Sequence, residues 1–493
     1  MKLGFKSLLA GVAAAAVLGT AGQSFAGEVD GVTVNILTRP GPVIAKPLVD
    51  HGKVFTEMTG AEIRVNEVPF AEIFQKLLTD WATGTNSIDV GVFASGWAVE
   101  LVDGDLVENL DPYIAKDDKI DINDIAPYFR EYNQKIGGST YLITVDGDFQ
   151  MMYYRADILD KLGLTPPRDW PEYMKVAEAM NGMDLNGDGE ADYGSCIFKK
   201  RNAQSYFAIG SIAAGFSQTK GTGEGLWFDP ETMKPKINNA AWAEAFRVYK
   251  ETGKYGPPEE LNHDVGDTRG LVQSGRCGMV IDWGDIGPLS IDPAGAAIKN
   301  KMGAVIMPGS RKVLNPESGN LEECTAALCP HATDGVNHSP FAAFGGWAGA
   351  INKKSDAKTK AAAYAFLSYV NQAAQSNTDV TMGWTGYNPY RNSQLNDTTK
   401  WVEAGFSQEF ADNYLGAIKD SLNHPNMASD VRIPGAQQYT GVVLDRELAR
   451  FLADEITAEQ ALANIEEGWE EITDDFGRDT QAQMYKLSLG ITN

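Results

Sequence analysis

The sequence VTVNIL, residues 32–37, alternates apolar and polar side chains and is rich in β-branched residues, which predicts a strand. A helix-like region at 43–58 follows, and the alternation returns at 63–68. Apolar residues at helical spacing then run through 70–81, and a short strand is predicted at 88–93. This β-α-β-α-β order predicts a parallel sheet that is covered by helices on both faces.

Two loops with polar and aromatic residues follow strands of this predicted sheet. The first strand ends in TRPG, residues 38–41, and the third ends in SGW, residues 95–97. Ligands of open α/β sheets bind beyond the carboxyl ends of the strands. Both loops are therefore expected to lie at a binding site.

A second region of strands and helices follows the first. The stretch 145–155 is strand-like, residues 173–180 show helical spacing, and 278–281 is a short apolar strand. The stretch 347–352 predicts a strand that returns to the first sheet. Between these two strands, the segment 315–338 is interpreted as an ordered insertion rather than as a regular element.

The first 26 residues have the pattern of a secretory signal peptide. Lys2 and Lys6 give a positive start, an apolar run covers 8–18, and Ser24-Phe-Ala26 offers a small-residue cleavage site. The apolar run is too short to span a membrane. Removal of 26 of the 493 residues leaves 467, enough for two or three domains or lobes.

The chain is strongly acidic. Its formal net charge is −24, and loss of the two lysines of the signal peptide takes this to −26. Such a surface argues against nucleic acid and anionic lipid as partners. It favours a neutral small ligand over an acidic one.

All four cysteines, Cys196, Cys277, Cys324 and Cys329, lie in the part predicted to be exported. In an oxidising compartment an even number indicates disulfides. Cys324 and Cys329 are close enough to close a local loop, which leaves Cys196 with Cys277, although three pairings are possible. A zinc site is the alternative, but the ligand spacing that it needs is absent.

The nonapeptide DLNGDGEAD, residues 184–192, has the pattern of the front of a calcium loop. Oxygen-bearing side chains fall at its first, third, fifth and ninth positions, and Gly189 stands at the sixth. Ser195 occupies the twelfth position, where an EF-hand carries a bidentate Glu. The alternative is a polar, glycine-rich turn. The predicted ligands are Asp184, Asn186, Asp188, Glu190 (through its carbonyl) and Asp192.

Six short stretches, in this order and spacing, resemble the extracellular solute-binding proteins of bacterial ABC importers, of the larger type to which maltose-binding protein belongs. Each stretch is weak alone, and the resemblance covers nearly the whole predicted mature chain. The stretches are FAEIFQKL (70–77), IDVGVFASGW (88–97), MYYRADIL (152–159), LTPPRDW (164–170), GRCGMVIDW (275–283) and FGGWAGAIN (344–352).

The resemblance implies an α/β, two-lobed periplasmic-binding-protein fold. Each lobe is expected to be a mainly parallel sheet flanked by helices, with a multi-strand hinge between the lobes. The ligand binds between the lobes, and the closed form docks on a membrane permease. The N-terminal lobe is predicted at 27–145 and 343–394, and the C-terminal lobe at 146–342 and 395–493, carrying the loop 184–192 away from the ligand.

A sugar or polyol needs aromatic faces together with polar groups that pair with its hydroxyls. Trp283, at a strand end, favours ligand contact over core packing, whereas Trp97 and Trp347 fit either role. The alternative for Asp146 and Asp148 is a solvated hinge turn. The predicted ligand-binding residues are Arg39, Trp97, Asp146, Asp148, Trp283, Asp285, Trp347 and Tyr387.

The predicted function is a periplasmic, monomeric binding component that delivers a carbohydrate or polyol to the transmembrane subunits of an ABC permease. It has no catalytic activity, does not insert into the membrane and carries structural calcium. One alternative is an exported calcium-dependent carbohydrate lyase or hydrolase. No Gly-x-Ser-x-Gly, His-Glu-x-x-His or Walker segment supports an enzyme. A calcium sensor is a third hypothesis.

Overall fold

The computed structural model describes residues 29–41, 43–295, 297–383 and 385–491. The predicted signal peptide, 1–26, lies outside the described residues. The rest of the chain alternates strands and helices, as the sequence patterns predict. The strands are β1 Thr33–Thr38, β2 Glu62–Glu67, β3 Val90–Ala94, β4 Lys135–Ile136, β5 Ser139–Thr140, β6 Ile143–Thr144, β7 Met151–Arg155, β8 Tyr193–Cys196, β9 Cys277–Asp282, β10 Met302–Val305, β11 Lys312–Leu314, β12 Leu321–Glu323, β13 Phe341–Ala342, β14 Trp347–Ile351 and β15 Ala428–Ser429.

Helices cover both main sheets and form the C-terminal part of the chain. Several begin with a side-chain cap, such as Asp169 before α6 and Thr457 before α17. The helices are α1 Ala45–Thr59, α2 Ile73–Thr83, α3 Ala98–Asp103, α4 Asp111–Ile114, α5 Ala156–Leu162, α6 Trp170–Met180, α7 Ser205–Ser217, α8 Ala240–Thr252, α9 Val265–Gln273, α10 Ile286–Leu289, α11 Ala357–Asn371, α12 Ala373–Asp379, α13 Asn392–Asn396, α14 Thr399–Ala404, α15 Gln408–Leu422, α16 Asp445–Leu452, α17 Ala458–Phe476 and α18 Arg478–Ser488.

The first sheet has the strand order β2-β1-β3-β14-β6. The strand β1 is parallel to β2 and β3, as the N-terminal pattern predicts, and β14 is antiparallel to β3 and β6. The central strands β3 and β14 are buried along their whole length. Helices α2 and α11 pack against this sheet, which explains why these strands are apolar rather than alternating.

The second sheet has the strand order β10-β7-β9-β8. Only β8 and β9 are parallel, whereas β7 is antiparallel to both β9 and β10. The sheet is therefore mixed rather than mainly parallel. The reason lies in the path of the chain: β7 leaves the junction between the sheets, with Met151 opposite Asp282, while β8 and β9 run towards it.

Two predicted elements are shorter or more regular than expected. The stretch 145–150 is a crossing segment between the sheets, and only residues 151–155 of the predicted strand form β7. Near the predicted insertion, β11 and β12 form an antiparallel hairpin.

The first sheet takes its strands from the predicted N-terminal lobe, and the second sheet takes its strands from 146–342. The limits of the lobes stay a prediction.

Both predicted disulfides are present. Cys196 in β8 is joined to Cys277 in β9 across 81 positions of the sequence, and Cys324 is joined to Cys329 across 5. Cys196 and Cys277 are buried, so the first bond ties adjacent strands of the second sheet inside the protein.

The long disulfide is expected to stabilise the fold more than the short one, because loop-closure entropy grows with loop length. Replacing Cys196 and Cys277 together by Ser should lower the free energy of unfolding by about 4 kcal/mol, and replacing Cys324 and Cys329 by about 2 kcal/mol. Urea unfolding of both double variants beside the parent protein measures this. Equal losses in the two variants would contradict the expectation.

Candidate functional site

A small cavity lies where the ends of β1 and β9 meet the crossing segment 145–150. It is small, with a volume of about 20 Å³. Six of the eight predicted ligand-binding residues line it, from segments far apart in the sequence. These six are Arg39, Asp146, Asp148, Trp283, Asp285 and Trp347.

Two tryptophans form aromatic walls of the cavity. Trp283 stacks on Phe198, with ring centroids 5.5 Å apart and planes inclined by 12°, and its Nε1 donates to the Ala343 carbonyl at 3.2 Å. Trp347 packs against Phe344, with centroids 5.0 Å apart. Both rings are held by packing, so each presents an ordered aromatic surface.

The other two predicted residues lie beside the cavity and do not line it. Trp97 is buried against Phe70, at 5.3 Å between centroids, and against Phe74, at 5.8 Å. Tyr387 is buried, and its hydroxyl donates to the Ile44 carbonyl at 3.4 Å. Both side chains are therefore buried beside the cavity and do not line it.

Arg269 and two aspartates form a buried ionic cluster in the cavity wall. The Arg269 guanidinium donates to Asp282 at 2.6 Å and to Asp285 at 2.8 Å. Burial raises the pKa of Asp282 to about 6, and the attraction of Arg269 offsets only part of that effect. The cluster fixes Asp285 at the end of β9.

Asp146 and Asp148 lie on the crossing segment, with 1% and 5% of their surface exposed. Asn388 donates its backbone N–H to Asp146 Oδ1 at 2.5 Å and its side-chain amide to Asp148 Oδ1 at 2.7 Å. Among the described residues, Asp146 Oδ2 has no hydrogen-bond partner. Because buried polar atoms are nearly always paired, this oxygen is a candidate acceptor for a ligand hydroxyl.

Arg39 offers unpaired donors to the cavity, as Asp146 Oδ2 offers an unpaired acceptor. It lies half-buried at the end of β1, and in the described part of the chain it makes no ion pair or hydrogen bond. Burial lowers the pKa of Arg39, and the nearby charge of Arg269 lowers it further. Because its guanidinium has no partner among the described residues, Arg39 can donate to a ligand oxygen without breaking another bond there.

The backbone around the cavity is unusual at two non-glycine residues. Gln204 and Phe344 have φ of 76° and 73°. Such conformations cost about 1–3 kcal/mol and cluster at functional sites. Nearby, Gly346 has φ of 104°, and a Cβ there would lie 2.1 Å from the Asp146 carbonyl, so glycine is required.

Half of the lining was not predicted from the sequence. Phe344 lies in one of the family-like stretches, next to two glycines. The other five residues lie in stretches without a recognisable motif. Arg269 lies within α9, where an isolated arginine usually signals a solvated face. The missed residues are Val43, Gln204, Val265, Arg269, Phe344 and Gly386.

A wider groove, of about 1080 Å³, runs along α8. Its charged side chains pair with one another: Arg247 binds Glu244 and Glu251, and buried Lys199 binds Glu260. The cavity differs because two of its polar groups, Arg39 and Asp146 Oδ2, have no such partner among the described residues. The unsatisfied groups favour the cavity as the ligand site.

The loop 184–192 forms a turn that is held by its own hydrogen bonds. Asp184 accepts from the N–H groups of Gly187, at 2.6 Å, and Gly189, at 2.9 Å. Asp192 accepts from Arg276 and from the Leu185 N–H, both at 2.8 Å. In the described residues no group of three or more His, Cys, Asp or Glu side chains is arranged to hold a metal ion. Calcium binding by this loop stays a prediction.

Comparison with known proteins identifies the family. Residues 52–406 match the bacterial extracellular solute-binding proteins. The chain belongs to this family. The match spans most of the chain and includes β14, which carries Trp347, and β9, which precedes Trp283 and Asp285. The two-lobed binding fold inferred from the resemblance is confirmed.

Relatives of known ligand are distant. A mannitol-binding protein of Pseudomonas aeruginosa is 24% identical over 247 residues, which cover 48% of this solute-binding protein and 51% of the relative. An erythritol/L-threitol-binding protein of Mycolicibacterium smegmatis is 25% identical over 414 residues, covering 80% and 78%. The chain therefore spans about half the length of the first relative.

Solved structures share the fold. An ABC transporter solute-binding protein from Agrobacterium radiobacter K84, in complex with ribitol, matches with a TM-score of 0.73 and 19% identity, covering 90% of this chain and 99% of that chain. One from Agrobacterium vitis S4, with bound D-mannitol, matches with a TM-score of 0.67 and 20% identity, covering 90% and 99%. Within the described ranges, no helix of the solute-binding protein has the length and apolarity to cross a membrane.

The Arg269 cluster should be essential to stability, because removing one partner leaves buried charges uncompensated. Arg269→Met is expected to lower the free energy of unfolding by about 3–5 kcal/mol. Arg64→Met is the control, since Arg64 pairs with Glu62 on the surface and should change stability little. Guanidinium unfolding of the two variants is the measurement, and similar stabilities would contradict a structural role for the cluster.

Proposed function

We propose that this solute-binding protein captures a small neutral polyol or carbohydrate between its two sheets and delivers it to the permease of an ABC importer. The observation that carries the proposal is the pair of unsatisfied groups in one cavity. Arg39 offers donors without acceptors, and Asp146 Oδ2 is an acceptor without a donor. A hydroxyl group both donates and accepts, so a polyol satisfies both groups.

The walls suit the carbon skeleton of such a ligand. Trp283 and Trp347 present aromatic surfaces to C–H groups. The cavity is small, so a polyol or monosaccharide needs less separation of the two sheets than a long oligosaccharide does. The names of the relatives support the same class, since mannitol, erythritol and ribitol occur among their ligands.

The remaining parts of the proposal follow from the family. We infer a periplasmic protein that is exported through the signal peptide 1–26 and acts as a monomer beside the permease. We also infer that it has no catalytic activity. A carbohydrate lyase or hydrolase remains the alternative, and it predicts turnover, which a binding protein does not show.

Ligand binding should depend on Trp283. A thermal-shift screen of D-mannitol, ribitol, erythritol and common monosaccharides should raise the melting temperature with at least one ligand, because a ligand that binds only the folded state stabilises it. Trp283→Ala should then weaken the affinity about tenfold or more by removing an aromatic wall. Isothermal titration calorimetry measures the dissociation constants.

Trp401→Ala is the matched control. Trp401 is a buried tryptophan outside the cavity, so its loss should lower stability and leave the affinity unchanged. Equal affinities for Trp283→Ala and the parent protein would contradict the assignment of the cavity. Steady appearance of reducing ends or unsaturated products with catalytic amounts of protein would favour the enzyme instead.

We further propose, from the sequence alone, that the loop 184–192 binds calcium as a brace. Binding requires Asp184 to give up hydrogen bonds to the backbone and Asp192 to leave Arg276. These existing hydrogen bonds oppose calcium binding. The spacing of oxygen-bearing side chains in the sequence of the loop supports it. The metal would lie in the region of β8 and β9, away from the cavity.

Calcium should raise the melting temperature of protein that was first treated with a chelator, because the ion would bind the folded loop only. The double variant Asp184→Asn, Asp188→Asn should abolish this rise, and magnesium should not replace calcium. Differential scanning calorimetry measures it. An unchanged melting temperature would show that the loop is a calcium-independent turn.

A further inference from the structure

Asn388 connects three carboxylates that belong to different parts of the chain. Its side-chain amide lies 2.7 Å from Asp148 Oδ1 and 3.4 Å from Asp285 Oδ2, and its backbone N–H lies 2.5 Å from Asp146 Oδ1. Asp146 and Asp148 stand on the crossing segment 145–150, whereas Asp285 follows β9 in the second sheet. Asn388 therefore ties the crossing segment 145–150 to the end of β9, beside the cavity.

Asn388 binds one oxygen of Asp146 and one oxygen of Asp148, so it holds the two buried carboxyls at one place. Two carboxylates that share a buried site repel each other when both are ionised, and a single shared proton removes that repulsion. Neither carboxyl forms an ion pair with a Lys or Arg in the described part of the chain. The pair is therefore held by one amide, one backbone N–H and a shared proton.

The charged and titratable groups around the pair do not remove the need for that proton. Arg269 faces it from α9 but is bound to Asp282 and Asp285. Arg39 faces it from the first sheet without contact, and the buried hydroxyls of Tyr387 and Tyr414 lie within electrostatic range of Asp146. The third carboxylate, Asp285, adds negative charge.

Burial raises the pKa of both Asp146 and Asp148 well above the ordinary value, and neighbouring carboxylates add to the effect. For Asp146 the neighbour is Asp285, and for Asp148 it is first Asp146 and then Asp285. When the cleft is open to water, this burial is reduced, and both carboxyls ionise at lower pH. Closure therefore favours the protonated pair.

Building on the proposed function, we propose that Asn388 is a specificity-determining residue, which holds Asp146 and Asp148 as a proton-sharing pair that binds the hydroxyls of a neutral polyol. Binding then takes up one proton from the solvent for each ligand captured. The ligand donates a hydroxyl hydrogen to the free Oδ2 of Asp146, and the buffer supplies the shared proton. A pair with a proton but no cation suits a neutral ligand rather than an anion.

The sign of the pH dependence follows from linkage. The pKa of the Asp146 and Asp148 pair is higher in the bound state than in the open state. Ligand affinity is therefore highest at low pH and falls as the pH rises towards the pKa of the bound state. Uptake of one proton corresponds to an affinity that falls about tenfold per pH unit between the open and closed pKa values.

The test is isothermal titration calorimetry with D-mannitol, ribitol and erythritol at neutral pH, in buffers with different enthalpies of ionisation. For the ligand that binds, the parent protein should take up close to one proton. Asp148→Asn should bind without proton uptake and with little dependence on pH, because its amide keeps the hydrogen bond and does not titrate. Buffer-independent heat in the parent protein would overturn the inference and leave the proposed function standing.

Asn388→Asp separates specificity from simple structural support. At neutral pH it adds a fourth carboxylate to the cavity and should weaken binding at least tenfold; at low pH the protonated Asp side chain can donate as Asn does, and the affinity should recover. Asn352→Asp is the control: Asn352 is equally buried but donates to Asn86 and Ile88, away from the cavity. A loss in Asn388→Asp that low pH does not reverse would reject the role of Asn388.

If none of the three polyols binds, the proposed function fails for that ligand class, and the inference that builds on it fails with it. Buffer-independent heat on binding, by contrast, rejects the inference alone.

Discussion

Buried negative charge governs the arrangement of this protein where its two sheets meet. Asp146, Asp148, Asp282 and Asp285 are all at most 5% exposed there. An ion taken out of water without a partner costs several kcal/mol, so each carboxylate needs a cation, a donor or a proton. Arg269 satisfies two of them, and Asn388 with a shared proton satisfies the other two.

The positions of these partners explain how the fold produces a binding site. The carboxylates stand on the crossing segment and at the end of β9, while Asn388 stands on a later segment and Arg39 at the end of β1. The cavity therefore forms only when both sheets and their connections are in place. A ligand that satisfies Arg39 and Asp146 adds contacts that the empty cavity lacks, and it stabilises the closed form.

Much of the fold could be predicted from the sequence, because alternation and helical spacing report directly on burial. The strands β1, β2 and β3 and both disulfides lie where they were predicted. The direction of a strand is harder to predict than its position, since β7 has the same apolar pattern whether it runs towards the junction or away from it. The mixed second sheet depends on the path of the crossing segment, which no local pattern reports.

The site could be predicted in part. Arg39, Trp283 and Trp347 line the cavity, and they could be predicted because they stand at strand ends or beside glycines; their role in binding a ligand stays a prediction. Arg269 and Asn388 were missed, because their roles depend on carboxylates that are distant in sequence. Trp97 was placed at the cavity by its position after β3, but its ring packs against Phe70 and Phe74 instead.

The central claim is that a small polyol or sugar binds between the sheets, in contact with Arg39, Asp146 and Trp283. A crystal structure of the protein with the ligand that gives the largest thermal shift tests this most directly. The account predicts ligand oxygens within hydrogen-bond distance of Arg39 and Asp146 Oδ2, and a carbon face against Trp283. A ligand seated in the groove along α8, with the cavity empty, would contradict it.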